Sequence, residues 1–245
     1  MYQNFIVEPL YNALIFILNT VPFIDLGVAV IILTVIVRAI LFPISRNAIR
    51  SQLKMKEIAP KIKELQTKYK DDRQTMALEM MKIYKDNNIK PFASILLILI
   101  QLPIIFALYF VFLREGLPNI NFDILYSFIT APSSIDVTFL NLIDLTAKSA
   151  LLAFTAAFSQ FIQAHIMVAS QKSAVATPAE AGSKEKMMED IMKGMNVQMK
   201  YVLPVVMYFI SYSLGAVIAL YFTTSNIFSA LQELYLRRER ANQTK

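Results

Sequence analysis

Cysteine and tryptophan are both missing from the 245 residues, and histidine occurs once, at His165. Without thiols there is no disulfide framework, cysteine nucleophile, acylated-cysteine anchor or cysteine metal site. Five glycines offer no phosphate-cradling loop, Gly-x-Ser-x-Gly does not occur, and one histidine makes no catalytic pair. The composition therefore argues against an enzyme and implies no cofactor and no metal. Charge is scarce as well, at 17% of residues, against roughly 25% in an average soluble domain.

Apolar residues fill the space, at 56% of the chain. A hydrocarbon core of about 30 Å takes roughly 20 helical residues. Apolar stretches of that order occur at about 26–44, 91–113 and 149–169. A fourth, Tyr201 to Leu236, has 36 residues, or about 54 Å of helix. That is too long for one crossing and predicts two, at about 199–213 and 215–236, turning near Ser213 to Gly215. The expected fold is an all-α integral membrane protein with five transmembrane helices. Residues 1–24 hold no Lys or Arg, so the start reads as a retained segment and not a signal peptide. Phe5, Ile6, Leu10, Leu14, Ile17 and Leu18 recur at near-helical spacing, while Glu8 and Pro9 shorten the run, which predicts an interfacial amphipathic helix.

Basic residues set the expected orientation, because Lys and Arg of short loops stay cytoplasmic. Of the 24, residues 46–90 hold 12, residues 170–200 hold 5 and residues 237–245 hold 4. These fall on one side only with five spans, the N-terminus outside and the C-terminus in the cytoplasm. The net charge of +6 thus reports topology and anionic lipid headgroups, with no specific nucleic-acid recognition. Segment 46–90 reads as a cytoplasmic helical hairpin, with Ile49, Leu53, Ile62, Leu65 and Tyr69 on one helix and Met76, Met80, Ile83 and Tyr84 on the other. Asp71 with Gln74 has the spacing of a capping box. Asn87 and Asn88 are cap candidates for the second span, and Pro91 suits its first turn. Segment 170–198 predicts a mobile cytoplasmic loop. Met187, Met188, Met192, Met195 and Met199 either repack against apolar partners or bury one helix face. Residues 237–245 form a short basic tail.

Arg38 stands inside the first apolar run, where a guanidinium costs roughly 2.5–3.5 kcal/mol on insertion scales. Snorkelling to the cytoplasmic end is one solution. The other is a hydrated cavity, since the later spans carry Gln101, then Gln160 and Gln163, then Thr223, Thr224, Ser225 and Asn226 at mid-depth, and none of these is acidic. Such a cavity, open to the cytoplasm with one positive charge, shortens the apolar path of a hydrophilic segment and attracts acidic residues on it.

The run Thr34-Val-Ile-Val-Arg38-Ala-Ile-Leu-Phe-Pro43 resembles the first core span of the YidC/Oxa/Alb family of membrane insertases. Ala59-Pro60-Lys-Ile-Lys, Asp71-Asp72-Arg-Gln, Glu79-Met-Met, Tyr84-Lys, Ile89-Lys-Pro91 and Ile100-Gln101-Leu-Pro103-Ile are similar to its hairpin and second core span, and Leu220-Tyr221-Phe222-Thr-Thr-Ser-Asn226 with Gln232 to its last. The resemblance covers roughly residues 20–236 in order. It implies that Arg38, Thr34 and Gln101 line a hydrophilic groove with Gln160 or Gln163 and with Phe222 and Thr223 of the last span. It also implies that nascent membrane proteins are the clients, released to lipid without nucleotide, in a bacterial plasma membrane. A translating ribosome and a Sec-type translocon stay open as partners. Phe222 replaces a common tryptophan, the Leu214-Gly215-Ala216 turn lacks a common proline, and the tail after Leu236 is short, which weakens the case for a ribosome contact.

A small-solute or ion transporter is the rival reading. Against it, no inverted repeat is evident, and the second to fifth spans read as offering no acidic coupling site. His165 reads as an interfacial side chain. Asp144 and Lys148 read as a helical pair at the mouth of the third span.

Overall fold

The computed structural model describes residues 2–21, 23–69, 72–90, 93–115, 117–169 and 197–243. Most of the expected loop 170–198, with Met187, Met188, Met192 and Met195, lies outside the described residues, as do Asp71 and Pro91. Among the described residues the regular structure is helical apart from one two-residue pairing.

A wide π-type turn at Gln3–Val7 leads into α1 (Glu8–Thr20). Next come α2 (Leu26–Ile40), α3 (Phe42–Glu57), α4 (Ala59–Lys68), α5 (Arg73–Asp86) and α6 (Ala93–Leu113). After a connecting segment that holds β1 (Thr138–Phe139) and β2 (Ile143–Asp144), the chain continues as α7 (Ala150–Ala169), α8 (Leu203–Leu214) and α9 (Ala216–Gln243). Among the described residues α7 alone is long and apolar enough to cross a membrane, over Ala150–Met167. Helices α2 and α3 meet the same measure together, as a pair bent by 62°, and Leu99–Phe112 of α6 is a shorter apolar stretch.

Local chemistry explains the breaks. Asp25 caps α2 by accepting from the Val28 amide at 2.8 Å, which satisfies one of the amides a helix start leaves open. Pro60 falls in the first turn of α4, where its missing N–H costs nothing, so the single helix expected to carry Ile49, Leu53, Ile62, Leu65 and Tyr69 is divided: Ile49 and Leu53 lie on α3, Ile62 and Leu65 on α4, and Tyr69 just past its end. Gly215, with φ of 105°, turns α8 into α9, at the position the sequence indicated; a side chain would resist that backbone.

Three further expectations shift. Asp72, not Asp71, caps α5, accepting from the Thr75 amide at 3.0 Å; Asp72 keeps its carboxyl below the ordinary range through the Thr75 hydroxyl and amide. Asn87 closes α5, donating its amide to the Ile83 carbonyl at 2.8 Å, instead of opening α6. Asp144 lies in β2, ahead of α7, and accepts from Thr146, while Lys148 sits over the Tyr212 ring, so the anticipated helical pair does not form.

The apolar core gathers towards the end of the molecule that carries the β-pairing. It is built from Tyr11, Leu14 and Ile15 of α1, Leu26, Ala29 and Val30 of α2, Leu108 and Val111 of α6, Ala156 of α7 and the run Ala216 to Phe222 of α9. The N-terminal segment joins it through Val7 of the π-type turn and Tyr11, Leu14 and Ile15 of α1, whereas Phe5 stays exposed. Asn12 is buried and satisfied, donating to the Glu8 and Ile124 carbonyls and accepting from the Tyr126 amide. The β-pairing seals the start of α2: the Leu26 amide donates to the Asp136 carbonyl, and Phe139 lies against Gly27, where an added Cβ would stand 2.2 Å from the ring.

Towards the opposite end more apolar side chains stand exposed. Exposure rises to 41% at Val35, 45% at Ile36 and 70% at Ile40 on α2, and to 58% at Leu99 and 54% at Phe106 on α6. Large apolar side chains also stand out on α7 (Leu151, Phe154, Phe158, Ile162) and α8 (Val205, Phe209). A water-soluble surface rarely offers so much contiguous apolar area.

Candidate functional site

Arg38 sits just below the core, on the half of α2 where burial falls away. Residues four apart share a helix face, and Thr34, one turn nearer the core, shares that of Arg38. Its hydroxyl donates to the Val30 carbonyl at 2.6 Å. The Arg38 guanidinium points inward across the helices. Its Nη2 donates to Gln101 Oε1 of α6 at 3.0 Å and to Ser225 Oγ of α9. The other end of the Gln101 amide, Nε2, donates to the Tyr221 hydroxyl. Tyr221 and Ser225 are one turn apart on α9, so three helices supply a four-residue polar cluster around a single cation.

Of the residues named from the sequence, Arg38 and Gln101 meet directly and Thr34 stands one turn away. Among the described residues no hydrogen bond joins Gln160, Gln163, Phe222 or Thr223 to that cluster. Phe222 is buried in the core, its ring 5.5 Å from that of Tyr221. Thr223 faces α7, its hydroxyl 3.2 Å from that of Thr155. Gln160 and Gln163 are half-buried on α7, and the Gln163 Oε1 atom is buried with no hydrogen-bond partner among the described residues.

Helix α9 thus presents two polar edges. One carries Tyr221 and Ser225 towards α2 and α6. The other is a ladder against α7: Thr223 with Thr155, Asn226 donating to Ser159 Oγ at 3.1 Å, and Arg237 donating to the Ile166 carbonyl. Such bonds hold helices together where lipid supplies no hydrophobic drive. Closest packing of α6, by contrast, is with the N-terminal segment and α3. The Gln101–Tyr221 bond ties α6 to α9 directly.

Over residues 17–244 the chain matches the 60Kd inner membrane protein family. It belongs to that family, which is the family of the YidC insertases. It is similar to the membrane protein insertase YidC of Clostridium tetani, 32% identical over 219 residues, covering 89% of this chain and 84% of the relative. The Clostridium perfringens protein of the same name is 35% identical over 199 residues, 80% of this chain and 76% of that one. A Haemophilus influenzae relative is 42% identical over 110 residues, but these make up only 20% of its length. This member of the 60Kd family is accordingly a helical membrane protein.

Two residues that matter in this family member carried no weight in the sequence. Tyr221 stood only inside a motif, and its 4-residue spacing to Ser225 was the signal that both share one face of α9. Glu233 was passed over when the last span was read as free of acids. It is 7% exposed and bonds Arg237 at 3.0 Å. Arg237 is therefore committed to Glu233 and α7, and Arg240 to Glu57 at 2.6 Å, which leaves less of the basic tail for headgroups than its composition suggested.

Proposed function

We propose that the chain is a membrane protein insertase, which receives hydrophilic segments of nascent membrane proteins beside Arg38 and releases their apolar segments into the bilayer. The observation that carries this reading is the direction of Arg38. Its guanidinium turns inward to Gln101 and Ser225, on the half of α2 where burial falls away. A cation held by neutral oxygens keeps its charge uncompensated and attracts a carboxylate. Transfer of the client's apolar surface, at about 25 cal/mol per Å², drives the release.

In this reading five spans enclose the site, formed by α2, α6, α7, α8 and α9, with α3 to α5 as the cytoplasmic hairpin, the N-terminus outside and the C-terminus inside a bacterial plasma membrane. The distribution of Lys and Arg supports the orientation. Seating of α1 in the core supports a fixed outer lid, not a helix afloat on the bilayer. Nascent membrane proteins are the partners, and the remaining exposed Arg238 suits anionic lipid.

The test is depletion and complementation with a single-span client that has a short acidic translocated tail. Complementation by this chain, measured as protease protection of the tail, supports the proposal. Intact client insertion after depletion, with solute uptake lost instead, would favour the transporter reading.

A further inference from the structure

Beyond the Arg38 cluster α9 runs on alongside α3, and a series of polar ties joins them in step. Gln232 Nε2 donates to Ser45 Oγ at 2.5 Å. Glu239 Oε1 accepts from Arg46 Nη2 at 2.7 Å and from Arg50 Nη2 at 2.6 Å. Arg240 Nη2 donates to Glu57 Oε2 at 2.6 Å. Both series ascend together, so the two helices run parallel here. On its other flank α3 packs against α6, and Lys54 Nζ donates to the Asn87 carbonyl at 3.1 Å, just ahead of α6. Helix α3 therefore bridges α6 and α9 below Arg38, and its root is the 62° bend from α2.

We propose that Glu239, gripping Arg46 and Arg50, is an ionic clasp that holds α3 across the mouth of the Arg38 site, and that its release lets α3 swing out between Leu41 and Ser45. The two ends of the strap differ in kind. The Gln232–Ser45 tie is buried, with residue exposures of 6% and 8%, and serves as the pivot. The clasp is wetter, with side chains of Arg46, Arg50 and Glu239 at 36%, 40% and 22% exposure. Water and salt compete for pairs of that kind. The closed clasp is also incompletely satisfied: Arg46 Nε and Glu239 Oε2 are buried with no hydrogen-bond partner among the described residues. An open state hydrates both atoms, which offsets part of the cost of breaking the two bonds. Because one carboxylate holds two arginines, a single event breaks both ties at once and leaves the outer part of α3 held by the more exposed Arg240–Glu57 pair and the Lys54–Asn87 bond. As a gate for clients the clasp rests on the insertase reading, but the motion itself does not.

The absence of cysteine makes a direct test clean. Gln52→Cys on α3 and Asn242→Cys on α9, spin-labelled in the full chain in lipid nanodiscs, report the separation of the two helices. At low ionic strength a short distance dominates. Raising the salt well past 0.1 M, where the screening length is about 10 Å, or introducing Glu239→Gln, shifts the ratio of long to short distances by about fivefold, as expected for losing two partly exposed charge-assisted bonds. Glu239→Arg opens the clasp, and adding Arg46→Glu and Arg50→Glu closes it again. A distance distribution unchanged by salt in the otherwise unaltered labelled chain, or unchanged by Glu239→Gln, overturns the proposal. Client insertion is scored separately: a chain whose clasp opens as described but that inserts no client refutes the function and leaves the clasp standing.

Discussion

Arg38 Nη2 and Gln101 Oε1 lie 3.0 Å apart across 63 residues of chain. The bond joins a cation that is costly in lipid to a neutral amide that cannot cancel its charge. A fixed, uncancelled positive charge is the outcome, and most of what can be tested about the site follows from it.

Replacing the cation measures its share. A charge-assisted hydrogen bond contributes roughly 1.5–3 kcal/mol, so Arg38→Ala is expected to lower capture of an acidic client tail about tenfold or more while the protein still folds. Arg38→Lys retains most of the activity, since one ammonium has three donors for the same two acceptors. Crosslinking yield of a stalled nascent chain to the residue 101 position, alongside protease protection of the inserted tail, reads both variants.

The ladder between α7 and α9 is structural. Asn226 is buried and donates to Ser159 Oγ and, at 3.4 Å, to the Ala156 carbonyl. Interhelical bonds in membranes are worth about 0.6 kcal/mol on average and at most about 1.7. Asn226→Leu should destabilise the fold by about 1 kcal/mol in a detergent unfolding titration and leave the charge preference for clients unchanged. A lost preference would mean that Asn226 belongs to the Arg38 site.

Gly27 is required by Phe139. An added Cβ would meet the ring at 2.2 Å and 2.8 Å, so Gly27→Ala is expected to cost about 1–3 kcal/mol, the range for overpacking. Phe139→Ala in the same chain removes most of that penalty. Thermal unfolding of the four members of this double-mutant cycle gives the coupling directly.

Acid should loosen the hairpin from one identified point. The Asp72 carboxyl is held below its ordinary value of 3.8 by the Thr75 hydroxyl and then the Thr75 amide. A depressed folded value means that the cap is at full strength above the unfolded value and is lost as pH falls through the folded one. Amide exchange at Thr75, corrected for its intrinsic pH dependence, is expected to lose protection only below about pH 3.8. Asp72→Ala removes that step, and a step that survives the substitution assigns it to another group.

Several local features could be read before any fold was known. The turn at Gly215 followed from an apolar run too long for one crossing, whereas the break at Pro60 was missed, because apolar spacing alone ran one helix from Ile49 to Tyr69 where the chain forms two. Caps were read less well. Asp71 and Asp72 are adjacent, both have acceptors suited to an N-cap, and only the observed Thr75 bond separates them. Asn87 fits the end of one helix as well as the start of the next, because its side chain can bond backward to a carbonyl or forward to an amide. In the site, Gln101 was found because a lone amide in an apolar run is conspicuous. Tyr221 was not, because a tyrosine in such a run is ordinary.

The sequence alone determined the class of the molecule, where its apolar helices lie, and that Arg38 needed help. Hydropathy, the satisfaction of backbone groups within a helix and the cost of a buried charge are properties of a segment and its solvent. Only the tertiary structure decided who gives the help. Neighbouring helical residues differ by about 100° in direction, so the rotation of α9 alone determines whether Ser225 or Thr223 meets the guanidinium. That rotation is fixed by side chains from α2 and α7 packing against α9, contacts between segments far apart in the chain that no local pattern encodes.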